Sequence, residues 1–303
     1  MGVITVAAVQ AAPLPVTGLP VFGQSATLDA FGADTERVRA QITGPALLVY
    51  PELHLFGTDD RSDEHHDQLL QAAAQPLDGE LITQLGVIAR GLDAWLIPGS
   101  IYERTGSGEI FNTALMFSPD GRLAGSYRKI FPWRPYEWST PGDRFVAVTI
   151  PDIGCVGLSV CYDAWFPEAG RHLAWMGADL VINLVKTVGA DRPHELVLAR
   201  ANSIVNQVFT LSVNTAGPVG RGRSIIVDPE GAVLDESPDE APGVFIHALD
   251  LSLVQRVRDA GTAGTNRMWA QFHPADRVID LPLYGGRIDP RSWSPQRSIR
   301  GFE

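Results

Sequence analysis

The chain has 303 residues, of which 45 % are apolar and 19 % charged, with two cysteines and a formal net charge of −11. An apolar fraction this high excludes intrinsic disorder, and the length supports an extensive buried core. Two cysteines cannot form a disulfide framework or a four-cysteine zinc site, and the acidic balance argues against nucleic-acid or anionic-membrane surfaces, which need clustered Lys and Arg. The opening Met1-Gly2-Val3-Ile4-Thr5-Val6 has no basic segment of a signal peptide, and no apolar run approaches the ~18–20 residues that cross a bilayer. The expectation is a soluble, cytoplasmic protein whose cysteines, where they matter, act as thiols.

Strand-like apolar runs alternate with amphipathic stretches along the chain. Residues 4–10 read as a strand, and 27–42 carry the helical spacing Leu28, Phe31, Val38, Ile42. Residues 46–50 form a buried-strand run stopped by Pro51, which cannot donate to a ladder. A helix is predicted over 80–92 and strands over 94–101, 112–118 and 123–127, the last two joined by the turn Ser118-Pro119-Asp120-Gly121. Strands over 145–150 and 155–160 flank Pro151-Asp152-Ile153-Gly154; a helix over 167–176 and a strand over 180–185 follow. A helix over 195–207 leads to strands over 208–214, 222–227, 232–235 and 244–249. This is an α/β chain of hairpins mixed with β-α units, which suits sheets packed on each other with helices outside. No repeat or low-complexity tract divides it, so one domain over 1–303 is expected. The tail 261–303 keeps large apolar residues such as Leu281, Tyr284 and Trp293, the composition of a docked arm.

The strongest local feature is Val160-Cys161-Tyr162-Asp163-Ala164-Trp165-Phe166-Pro167-Glu168. A buried strand ends, Cys161 sits at the corner, and a helix opens at Pro167 with Glu168 at its positive end. Cys155, inside the strand, reads as a small core residue. A thiol nucleophile needs a base and an oxyanion partner. The seven histidines are scattered with no metal-ligand or Cys-His protease spacing, and His65-His66 lies in the polar stretch 61–68. Two other segments offer the missing groups: Tyr50-Pro51-Glu52, a carboxylate just past a strand, and Tyr127-Arg128-Lys129, a lysine before the aromatic loop Ile130-Phe131-Pro132-Trp133. Alone, each fits an ordinary solvated loop residue.

Taken together, in order, the three segments resemble the nitrilase superfamily of carbon–nitrogen hydrolases, from Ala7-Ala8-Val9-Gln10 to about Asp250. Further matches are Phe166-Pro167-Glu168, Arg200-Ala201-Asn202, Asn206-Gln207, Gly222-Arg223-Ser224 and Asp228-Pro229-Glu230-Gly231. The resemblance implies a four-layer α-β-β-α sandwich and a catalytic set of Glu52, Lys129 and Cys161, with Glu137 as the family's second glutamate. The stretch from Lys129 to Trp138 is most similar to the aliphatic amidase and formamidase branch. Two departures, the adjacency of Glu137 and Trp138 and the sequence Asp163-Ala164-Trp165, leave the substrate open. The expected reaction is hydrolysis of a small amide through a Cys161 thioester, without metal or cofactor. Lys129 and the Tyr162 N–H would hold the oxyanion, and Trp133, Tyr136, Trp138, Tyr162 and Trp165 would contact substrate. Arg134 and Lys186 are the cations available to clamp a substrate carboxylate. A nitrilase, an N-carbamoyl amide hydrolase, and a catalytically silent binding protein of the same fold are the alternatives. A nucleotide-binding protein is disfavoured because Gly217–Gly222 precedes a strand and lacks the Gly-Lys-Ser/Thr ending. The resemblance also implies a homo-oligomer, with the arm 261–303 at its interface.

Overall fold

The computed structural model describes residues 2–58, 63–279 and 286–287. The strands, in chain order, are β1 (Val3–Gln10), β2 (Ala46–Val49), β3 (Trp95–Ile97), β4 (Ser100–Arg104), β5 (Ile110–Phe117), β6 (Leu123–Arg128), β7 (Val146–Ile150), β8 (Gly154–Val160), β9 (Leu180–Val185), β10 (Phe209–Asn214), β11 (Ile225–Val227), β12 (Val233–Glu236) and β13 (Gly243–Asp250). The helices are α1 (Ala26–Arg39), α2 (Asp63–Ala73), α3 (Glu80–Leu92), α4 (Pro167–Trp175), α5 (Arg192–Asn206) and α6 (Ser252–Ala260).

One sheet runs β13-β1-β2-β3-β5-β4 with β6 beside β5, and the other runs β12-β11-β10-β9-β8-β7. At the centre of each, three strands are parallel: β1, β2 and β3 in the first, β8, β9 and β10 in the second. Such strands are buried on both faces and read as continuous apolar runs. In β1, Ile4, Val6 and Ala8 point into the core between the sheets, where they meet Val156, Leu158, Val160, Ile182 and Leu184. Ala7 and Val9 point the other way, into a core shared with Phe31 and Val38 of α1 and Leu81, Leu85 and Ala89 of α3. On the far side, Leu173 of α4 packs with Val181, and Leu196 and Ala199 of α5 pack with Ile225 and Val227. The four layers are therefore α-β-β-α, as expected. The parallel strands bring the C-terminal ends of β2, β8 and β9 to one rim, where open α/β sheets carry their functional groups.

Several boundaries differ from the sequence reading. The expected strand over 94–101 breaks at Pro98-Gly99: Gly99 has φ +99°, and a Cβ there would lie 2.1 Å from the Pro51 carbonyl oxygen. The helix expected from residue 195 opens at Arg192, because Pro193 occupies its first turn. The polar stretch around His65 and His66 is part of α2, and α6 follows β13, using Val254 and Val257 as its buried contacts. The strand expected from residue 222 starts only at Ile225, since Gly222 and Arg223 both have positive φ. Cys155 does lie in β8 but is half-buried rather than core, its N–H donating to Asp179 at 2.9 Å. The first part of the tail docks on its own chain: Asn266 accepts from Gln207 at 2.6 Å, and Trp269 lies 5.8 Å from Trp175. Leu281, Tyr284 and Trp293 lie outside the described residues. No described helix is long and apolar enough to cross a membrane.

His54 illustrates how tightly the turn after β2 is enclosed. Its ring sits 4.9 Å from that of Tyr50 and 5.8 Å from that of Phe31, and its buried Nδ1 has no partner. Burial lowers its pKa from 6.5 to about 4, a charge on Asp34 pulling weakly the other way. The unfolded chain takes up this proton near pH 6.5 and the folded chain only near pH 4, so stability falls as pH drops through that window, by about 3 kcal/mol from this ring. Urea unfolding at pH 7 and pH 4.5 will show a smaller loss in His54→Phe than in the wild type. Equal losses would remove His54 as the source.

Candidate active site

Glu52 follows Pro51 directly at the end of β2. The turn is fixed on both sides: the Tyr50 N–H donates to the Ile97 carbonyl at 2.9 Å and the Leu53 N–H to Ser100 Oγ at 3.1 Å. The close pass of Gly99 under Pro51 allows this approach and is the local reason for a glycine there. Lys129 follows β6, its N–H donating to the Asn112 carbonyl and its own carbonyl accepting from Gly142, both at 2.8 Å. Glu137 hangs from the next loop, its N–H donating to the Trp133 carbonyl at 2.9 Å.

These backbones bring three charged side chains together. Lys129 Nζ donates to Glu52 Oε1 at 3.1 Å and to Glu137 Oε1 at 2.5 Å, with the lysine 0 % and Glu52 3 % exposed. Asn112 Nδ2 donates to the same Glu52 oxygen at 2.8 Å. Burial alone would discharge the lysine, but the carboxylates of Glu52 and Glu137 around it prevail and hold its pKa well above the ordinary value. An ammonium has three protons to donate; two are used here. Glu137 keeps one oxygen, Oε2, that is buried and without a partner. Burial raises its carboxyl pKa, against the pull of Lys129.

Cys161 begins a one-turn 3₁₀ helix, Cys161–Trp165, directly after β8. Its φ is +49°, a left-handed conformation that costs a non-glycine residue of order 1–3 kcal/mol and persists only where its surroundings enforce it. Asp163 supplies that enforcement. It is fully buried and accepts from the Val160 N–H at 2.9 Å, the Phe131 N–H at 2.9 Å and the Tyr127 hydroxyl at 2.7 Å. One carboxylate thus ties the cysteine corner to the segment carrying Lys129. Burial raises the Asp163 pKa to about 6, although Lys129 and the three donors pull it down. Burial also raises the Cys161 thiol well above its ordinary value, with Glu52 adding to the rise and Lys129 opposing it. The resting group is a thiol, so its proton has to be taken as the sulfur reacts.

The chain matches the family described as carbon-nitrogen hydrolase over residues 5–259. It belongs to that family. It is 35 % identical over 217 residues to an (R)-stereoselective amidase of a Pseudomonas species, covering 69 % of this chain and 74 % of that protein. It is 31 % identical over 205 residues to the deaminated glutathione amidase of Rattus norvegicus, covering 61 % of this chain and 62 % of that one. The chain thus spans less than two thirds of the rat relative. The crystal structure of Saccharomyces cerevisiae Nit3, a member of branch 10 of the nitrilase superfamily, superposes with a TM-score of 0.71 at 24 % identity, over 86 % of this chain and 94 % of that one.

Within this carbon–nitrogen hydrolase fold, Glu52, Lys129 and Glu137 meet as one cluster, and Asp163 ties the Cys161 corner to the residues flanking Lys129. The expected aromatic residues divide. Tyr162 lies 6.1 Å from Trp165 and 5.5 Å from Phe166, which stacks on Phe131 at 3.7 Å. Trp138 stacks on Tyr102 at 4.8 Å and joins the core beneath α1 and α3. Trp133 and Tyr136 lean on each other at 4.4 Å, with Tyr136 70 % exposed. Three contributors were given no role in the sequence reading. Asn112 and Asp163 left a usable signal, each a polar residue set in or just after a strand with otherwise apolar inward positions. The third, the buried pair Arg192–Glu195 at 2.9 Å, left none beyond its i,i+3 spacing.

Replacing Asp163 by Ala strands three buried donors, each costing about 1–3 kcal/mol. Asp163→Ala is expected to lose at least about 3 kcal/mol in urea unfolding and to alkylate more slowly at Cys161 with iodoacetamide. Wild-type stability in this variant would contradict the role assigned to Asp163.

Proposed function

We propose that the chain hydrolyses the C–N bond of a small amide, releasing ammonia and a carboxylic acid through a thioester on Cys161. The observation that carries this reading is Lys129, unexposed and clamped between Glu52 and Glu137. A permanently charged donor enclosed this way serves to stabilise developing negative charge on a substrate oxygen. The amidase relatives support the same reaction class.

In the proposed sequence the Cys161 sulfur attacks the amide carbon while Glu52 takes the thiol proton. The carbonyl oxygen becomes an oxyanion held by the third Lys129 proton and by the Tyr162 N–H, one of the first donors of the short helix, which have no intrahelical acceptor. The free Oε2 of Glu137 accepts from the substrate amide nitrogen and orients it. The C–N bond breaks as Glu52 gives its proton to the departing nitrogen, leaving ammonia and a thioester. Water then attacks the thioester carbon and loses a proton to Glu52. The C–S bond breaks, and the proton returns to sulfur. Tyr162, Trp165, Trp133, Tyr136 and Trp138 line the approach in this reading.

Ammonia release from short aliphatic amides tests it. Glu52→Gln keeps the shape and the bond from Asn112 and is expected to lose about 10²–10⁴-fold in kcat. Loss of one oxyanion donor costs about 2.7–4 kcal/mol, so Lys129→Ala should lose at least 10²-fold, and Cys161→Ala should be inactive. Near-wild-type turnover in Glu52→Gln, measured on protein that still melts cooperatively, would overturn the assignment.

A further inference from the structure

Lys129 is not the rim's only lysine. Lys186 comes directly after β9, whose pairing with β8 runs to Val160 opposite Leu184 and whose pairing with β10 runs to Val185 opposite Asn214. It therefore emerges beside the cysteine corner, on the same rim as Glu52. By the two-residue period of the strand it shares the face of Ile182 and Leu184, the face turned toward the first sheet. The neighbouring backbone holds it there. Thr187 N–H donates to Asn214 Oδ1 at 2.9 Å, the Thr187 hydroxyl donates to Glu195 at 2.8 Å, and the Thr187 carbonyl accepts from Arg221 at 2.9 Å. Glu195 is itself locked by Arg192.

Unlike Lys129, Lys186 has no ion pair or hydrogen bond with its side chain among the described residues. It lines a cavity of about 310 Å³ formed with Pro13, Pro15, Gly57, Thr58 and Val219, and no other described residue lining it is charged. Burial lowers its pKa, while Glu52 and Glu137 lie near enough for their charges to oppose that shift. A partly enclosed cation with no counter-ion among the described residues, lining a cavity at the rim that carries the cysteine corner, is completed by an anion carried in on the substrate.

We propose that Lys186 pairs with a carboxylate on the acyl part of the substrate, so that the preferred substrates are monoamides of short dicarboxylic acids. This rests on the amidase reading above. The scissile amide occupies Cys161 and Lys129, and the far carboxylate reaches into the cavity between Pro13 and Val219. Because the leaving group in that reading is ammonia, the negative charge belongs to the acid that remains on sulfur. Lys186 is a positioning and specificity residue in this role and takes no part in proton transfer.

The test compares kcat/KM for succinamate and malonamate with that for pentanamide, in the wild type, Lys186→Met and Lys186→Arg. The wild type is expected to favour the anionic amides by about tenfold or more, the scale of one charge-assisted contact. The ratio should collapse in Lys186→Met, chiefly through KM, and return in part in Lys186→Arg. Succinate should also inhibit the wild type competitively and better than pentanoate, a measurement that needs no variant. Hydrolysis of neutral amides with no preference for the anionic ones, or an unchanged ratio in folded Lys186→Met, would overturn this inference and leave the amidase reading standing. Hydrolysis of no amide at all would overturn the amidase reading itself.

Discussion

The structure depends on keeping one ammonium charged in a place without water. Lys129 is fully enclosed, and an isolated charge there would lose its proton rather than bear the desolvation. Two carboxylates prevent that, and they come from different parts of the chain: Glu52 lies 77 residues away and Glu137 eight. Joining them requires two strand ends and a loop to meet within hydrogen-bond distance. The paired strands β5 and β6 make this possible, because Asn112 uses its carbonyl to hold the Lys129 backbone and its amide to hold the Glu52 side chain. Breaking a buried pair costs about 3–5 kcal/mol, so the cluster constrains the fold as much as the fold positions the cluster.

The cysteine corner solves a separate problem. A nucleophile in a strand points along one of its two faces, with its approach limited by neighbouring strands. The positive φ at Cys161 turns the chain out of the sheet at that residue. The strain is offset by Asp163, whose oxygens gather donors from β8, from β6 and from the loop after Lys129. The oxyanion partner and the nucleophile are thereby fastened to each other through one side chain that touches neither substrate nor sulfur in the proposed reaction.

The element order and four-layer stacking were legible because parallel strands buried on both faces leave long apolar runs such as Leu180–Val185. Glu52, Lys129 and Cys161 were legible because each stands just past a strand end, in a local motif. What the sequence hid was non-local. Nothing around Asn112 announces a partner 60 residues away, and the break at Gly99 arises from the backbone of Pro51 passing above it. The α6 helix was missed because its nine residues, four of them charged or amide-bearing, offer little apolar periodicity beyond Val254, which joins the core between the sheets, and the buried Val257. Cys155 read as core because free cysteines usually are, whereas its place at the strand's start leaves it half-buried.

The two rim lysines show how environment divides one residue type into two functions. Lys129 has its charge balanced by two carboxylates of the protein, so it is held as an ammonium that can only donate hydrogen bonds. Lys186 sits near the same carboxylates without touching them, and its burial works against its charge. A cation compensated from within the fold is suited to a charge that appears on the substrate during the reaction. One left uncompensated is suited to a charge the substrate already carries. A pocket built with both would bind an anionic amide in a single orientation, because exchanging the carboxylate and the amide would bring a full negative charge beside Glu52 and Glu137 and leave Lys186 facing a neutral group.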